Sequence, residues 1–113
     1  MPRRKEKTEL LRGTLDMLIL STLSLKPLHG VSVAERIKQI TGGTFDVPAG
    51  SLFPALHRLE MNGWIAGEWS TNEQGKRVKS YQLTTAGRRQ LSDEKRHWDR
   101  IVAAVAQVFD TSN

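Results

Sequence analysis

Cysteine is absent from all 113 residues. That removes a disulfide framework, thiolate metal ligation and a cysteine nucleophile, and it fits a reducing compartment. Histidine is scarce: His29, His57 and His97 lie far apart, with no His-x-x-x-His or His-Glu pair, so no metal site is expected. Gly42-Gly43 and Gly50 form no phosphate loop, and Ser51 lacks the flanking glycines of a nucleophile elbow. Asp93-Glu94 reads as surface charge on a helix. An enzyme is not expected, and no cofactor is implied. No apolar run approaches the roughly 20 residues of a membrane span. The basic N-terminus has Arg12, Gly13 and Asp16 behind it rather than a signal-peptide core. The expectation is a soluble, cytoplasmic protein without membrane contact, of about one domain.

What is present is basic charge, and it is placed. Lysine and arginine number 17 against 12 acidic residues, a net charge of +5. Residues 1–12 carry Arg3, Arg4, Lys5, Lys7 and Arg12 against Glu6 and Glu9, more than half of that excess. A basic N-terminus with a second local patch points to a polyanion partner; the bland alternative is a solubilising tail.

The chain order is legible from periodicity. Residues 1–7 are expected to form a basic flexible arm. From Thr8 to Leu25, Leu11, Leu15, Leu18 and Ile19 recur at helical spacing, and Lys26-Pro27 stops the helix. After a turn at Leu28-His29-Gly30, Val33, Ile37 and Ile40 predict a second helix ended by Gly42-Gly43. Phe45-Asp46-Val47 has room for one short strand ahead of Pro48. Leu52, Leu56 and Leu59 mark the inner face of a third helix over 49–62, in which Pro54 is tolerable only near the start. Trp64–Ser70 and Val78–Thr84 alternate with strand period and enclose a polar, basic hairpin tip. A final helix runs from Thr85 to about Asp110, with Leu91, Trp98, Ile101, Val102, Val105, Val108 and Phe109 in one stripe. A single small core cannot cover that stripe, so a second copy of the helix is expected to.

Helix, helix, strand, helix, strand, strand is the order of a winged helix-turn-helix. The expected fold is mainly α with a small β-wing, plus a long C-terminal dimerisation helix. The expected division is 1–7 arm, 8–84 winged helix-turn-helix and 85–113 dimerisation helix. A helix fits the major groove of double-stranded DNA, and a basic hairpin reaches the neighbouring backbone.

Three stretches resemble the PadR family of bacterial transcriptional regulators: Thr14-Leu15-Asp16-Met17-Leu18-Ile19-Leu20, His29-Gly30, and Gly50-Ser51-Leu52-Phe53-Pro54-Ala55-Leu56-His57-Arg58-Leu59-Glu60. Tyr81-Gln82-Leu83-Thr84-Thr85-Ala86-Gly87 resembles that family's wing-to-last-helix junction, and the resemblance covers about residues 9–110. It implies a homodimeric repressor, an inverted-repeat operator and, in many members, a small aromatic or apolar effector. The single last helix resembles the smaller subfamily. This chain departs from the pattern at Phe53, where the family commonly has Tyr, and at Pro48-Ala49, which offer no capping side chain.

The candidate DNA-binding residues are Ser51, Phe53, His57 and Arg58 on the third helix, Lys76, Arg77 and Lys79 on the wing, and Arg3 and Arg4 in the arm. Each basic residue also has a plain reading as a solvated surface charge, and a charged hairpin tip also blocks edge pairing. Trp98 and Ile101 are the candidate effector contacts, against a plain reading of Trp98 as an interface anchor. Two other functions fit the same pattern: a winged helix that binds protein, and a DNA-binding module that takes no ligand.

Overall fold

The computed structural model describes residues 3–112, with side chains described from Gly13 to Thr111. The described elements run α1 (Arg3–Leu23), β1 (Leu28–His29), α2 (Gly30–Ile40), α3 (Ala49–Met61), β2 (Ile65–Thr71), β3 (Arg77–Leu83) and α4 (Thr85–Ser112). Helices dominate, and the three strands form one antiparallel sheet in the order β1-β3-β2. This is the mainly α winged helix-turn-helix with a long C-terminal helix that the element order predicts.

Three features differ from expectation. The segment expected as a separate arm is helical from Arg3 onward and continues into α1. Arg, Lys and Glu are good helix formers, so nothing in residues 3–7 breaks the helix. The side chains of Arg3 and Arg4 lie outside the described residues. The single strand expected at Phe45–Val47 is instead irregular backbone, with Phe45 and Val47 packed against the core. The third strand is Leu28–His29, expected as a turn, which pairs with Tyr81 and Ser80 of β3.

The core lies where three helices meet the root of the sheet. Ile19, Leu20 and Leu23 of α1, Val33 and Ile37 of α2, and Leu52, Ala55, Leu56 and Leu59 of α3 are buried together with Ile65, Tyr81, Leu83 and Leu91. Full burial of such a side chain contributes about 1.5–3 kcal/mol each. The helical periodicity of each segment thus points to one centre.

Gly30 of the His29-Gly30 pair sits in a close approach that favours glycine. A Cβ on it would lie 3.2 Å from the Phe53 ring and 3.4 Å from the Tyr81 ring. The close approach lets α2 start directly off β1 and lie under α3. At its other end α2 closes through the Gly43 N–H, which donates to the Lys38 carbonyl at 2.9 Å, with Gly42 and Gly43 both at positive φ.

The junction of β3 and α4 turns on Thr84. Its Oγ1 donates to the Gly63 carbonyl at 2.7 Å and accepts from the Gly87 N–H at 3.0 Å. Its N–H donates to the Trp64 carbonyl at 3.1 Å. One side chain therefore caps α4 and ties it to the α3–β2 turn. Gly87 packs so closely there that a Cβ would collide with the Trp64 carbonyl oxygen.

Candidate nucleic-acid interface

The α3 helix has two unlike faces. Leu52, Ala55, Leu56 and Leu59 are buried, while Ser51, Phe53, Pro54, His57 and Met61 are exposed. Pro48 stands at the N-cap with no side-chain cap bond; its carbonyl accepts from the Ser51 and Leu52 N–H groups at 3.0 and 2.9 Å. Pro54 lies in the second turn rather than the first. The N–H it lacks would have met the carbonyl of Gly50, an exposed residue, so water can satisfy that group. Phe53 is 45% exposed, with one ring edge over the Gly30 position.

Arg58 does not extend from this face as expected. Its guanidinium donates to the Asp16 carboxylate, and the two side chains are 29% and 20% exposed. The reason is packing geometry. Arg58 follows the buried Leu56 by two positions and falls on the flank of α3 that meets α1, where Asp16 supplies the opposite charge.

The wing is a regular hairpin. Its register runs from Ile65 opposite Leu83 to Thr71 opposite Arg77. The tip is organised by Asn72, whose Oδ1 accepts from the N–H groups of Gln74 and Lys76 at 3.0 and 2.9 Å. The Gly75 N–H donates to the Asn72 carbonyl at 3.0 Å, with Gly75 at a φ of +79° that favours glycine.

The three wing cations have different surroundings. Lys76 and Arg77 are exposed. Lys79 is not: its Nζ donates to Glu60 Oε1 of α3 at 2.8 Å, and its side chain is 23% exposed. The hydrogen bond to Glu60 holds the Lys79 ammonium above its ordinary pKa, opposed by burial and assisted by the charge of Tyr81. Gly67, opposite Tyr81 in the register, leaves the room that the Lys79 chain crosses, because a Cβ there would collide with Lys79 Cε. The sequence places Lys79 on the hairpin surface and Arg58 on the exposed side of α3, and it does not mark Glu60 and Asp16, the carboxylates that anchor Lys79 and Arg58 respectively. Opposite charge was the available signal, but no periodicity links such distant positions.

The tryptophans divide in three ways. Trp64 packs against the core. Trp69 is 55% exposed on β2, with the Arg77 guanidinium 4.8 Å and the Lys79 ammonium 5.6 Å from its ring centroid. Trp98 is on α4, in a stripe with Ile101, Val102, Val105, Val108 and Phe109, all exposed by 39–66%. Leu91, expected in that stripe as an interface residue, is instead 5% exposed and belongs to the chain's own core. α4 contacts α1, and its burial is confined to its early turns: Leu91 is buried, whereas every residue from Lys95 to Thr111 is exposed.

No group of His, Cys, Asp or Glu among the described residues is arranged to hold a metal ion. No helix among them is long and apolar enough to cross a membrane.

Comparison with known proteins adds a family to this geometry. The model of the PadR-like family of transcriptional regulators matches residues 19–93. The transcriptional regulator Rv3488 of Mycobacterium tuberculosis is 27% identical over 97 residues, covering 86% of this chain and 87% of that one. A PadR family transcriptional regulator from Eggerthella lenta superposes with a TM-score of 0.78 at 31% identity, over 96% of this chain and 92% of its own. A transcriptional regulator from Clostridium thermocellum superposes with a TM-score of 0.81 at 25% identity, over 88% of this chain and 96% of its own.

Proposed function

We propose that this chain, which belongs to the PadR-like family of transcriptional regulators, is a sequence-specific DNA-binding repressor that acts as a homodimer on an inverted-repeat operator. Members of the family are regulators of transcription, not enzymes. The observation that carries the proposal is the bare face of α3. Ser51, Phe53 and His57 are exposed on a helix whose other face is core, beside a hairpin that exposes Lys76 and Arg77. A helix so mounted enters a major groove, and the hairpin cations meet the flanking phosphates. Arg58 and Lys79, each engaged in an ion pair, hold α3 and the wing in place instead of reaching DNA.

The exposed stripe of α4 supports the dimer: paired with a second copy, Trp98, Ile101, Val102 and Val105 lose their contact with water. Two reading helices related by a twofold axis would lie about 34 Å apart. A small apolar or aromatic compound bound beside Trp98 and Ile101 would release the operator by favouring another spacing. Its site of action on this reading is the cytoplasm.

The test is an equilibrium titration of the duplex upstream of the chain's own gene against a scrambled duplex, at two salt concentrations. With about eight phosphate contacts per dimer, log affinity falls with log salt with a slope near −7, about 10⁴-fold between 50 and 200 mM. Equal affinity for both duplexes with a flat salt response overturns the proposal and favours a protein-binding winged helix.

A further inference from the structure

We propose that Trp69 is a positioning residue of the wing: it presents Arg77 to the DNA backbone, whereas Lys79 sets the pitch of the wing on α3. This rests on the DNA-binding reading and assigns roles within it. Trp69 pairs directly with Lys79 and lies diagonally from Arg77, which pairs with Thr71. All three therefore project from one face of the hairpin. Nearer the domain that same face carries Ile65, Tyr81 and Leu83, which are buried in the core.

The two cations on this face are not equivalent. Lys79 crosses Gly67, ends on Glu60 at 2.8 Å and has its ammonium 5.2 Å from the Tyr81 ring centroid. Its charge is already compensated by a carboxylate. Arg77 is exposed, and its described close partner is the Trp69 ring at 4.8 Å. A guanidinium resting on an indole keeps its hydrogen-bond donors free at its edge, because stacking uses the face of the plane. It also restricts the several rotamers of a long side chain before any contact is made, so less order remains to be imposed on binding. A tryptophan 55% exposed beside the tip of a basic hairpin has no role in the core. Its role as a shelf accounts for its position.

The experiment is a double-mutant cycle of Trp69→Ala and Arg77→Ala, with Trp69→Phe as the conservative variant. The probe is a mixed-sequence duplex of about three helical turns at low salt, since backbone contacts need no particular sequence. Trp69→Ala is expected to weaken binding about tenfold in the otherwise native dimer and by less than about twofold when Arg77 is already alanine. Arg77→Ala is expected to reduce the salt slope by about two for the dimer, one contact per wing. Trp69→Phe, which keeps an aromatic face, is expected to retain most of the affinity. An equal loss from Trp69→Ala with and without Arg77 would overturn the proposal, because the indole would then act through the fold or touch DNA itself. No loss in either background overturns it too. If the native chain binds neither this duplex nor its own promoter, the DNA-binding reading fails and the inference falls with it. Salt-sensitive native binding without coupling sinks the inference alone.

Discussion

The Arg58 guanidinium donates to the Asp16 carboxylate, joining α3 to α1 across 42 positions of sequence. Both side chains are more than two-thirds buried, so neither charge has full access to water when its partner is removed. Asp16→Ala and Arg58→Ala should each destabilise the fold by about 1–3 kcal/mol. The double variant should cost little more than either single one, as read from denaturant midpoints. Additive losses would mean that the two groups do not work as a pair.

The Lys79–Glu60 bridge predicts an alkaline signature. The folded-state pKa of Lys79 lies above the ordinary 10.5, with the hydrogen bond to Glu60 as the largest cause. A raised lysine value contributes stability in full below 10.5 and loses it as pH climbs through the folded value. Glu60→Gln should therefore cost about 1 kcal/mol at neutral pH. The gap between native and variant should close above pH 10.5. Urea melts across the alkaline range would reveal a constant gap if the bridge were not responsible.

Gly87→Ala should be among the more damaging single-methyl additions in the chain. The new Cβ would meet the Trp64 carbonyl oxygen and come within 2.8 Å of Leu83 Cδ1. Backbone oxygen cannot swing aside as a side-chain end can, so a loss of about 1–3 kcal/mol or more is expected. Thr84→Ala, which removes a cap without a clash, should cost about 1 kcal/mol. Thermal melts of the two variants should rank them in that order.

Leu91 and Val105 lie on the same helix and should respond in opposite ways. Leu91→Ala opens a hole in the core of a single chain and should cost about 2–5 kcal/mol of stability. Val105→Glu puts charge on an exposed stripe and should leave the fold intact while separating the proposed dimer. Sedimentation velocity distinguishes the cases; a Val105→Glu variant that still sediments as a dimer would move the interface elsewhere.

The parts of this architecture that sequence exposes are those repeated along a single element. Val33 and Ile37, or Leu52, Leu56 and Leu59, name their helix and its inner face because the spacing itself is the signal. Alternation did the same for β2 and β3, whose observed ends fall within one residue of those expected. The two residues of β1 carry no such period: they are a strand only because Tyr81 and Ser80 lie opposite. Phe45 and Val47 look like a strand but have no partner edge, and they serve as core packing instead. Family motifs carried the candidate positions on α3, yet not which of them are engaged. Arg58 and His57 are neighbours in sequence, and only the fold sends one to Asp16 and leaves the other exposed. Leu91 teaches the same lesson for α4. The apolar stripe is continuous in sequence, and nothing in it marks the turn at which the helix leaves its own domain.

The Thr84 junction gives α4 the mechanics of a lever. A helix of 28 residues extends about 42 Å, and its root is fixed to the turn that follows α3. A change of about 5° at that root moves the far end by about 4 Å over this length. In the proposed dimer, repacking of a few ångströms along the distal stripe would reach the base of α3 as a small rotation. The gearing lies in the helix length and in how its first turns are held, by the Thr84 bonds and by Leu91 in the core, so lengthening α4 by whole turns would change the ratio without touching a single residue of the exposed α3 face.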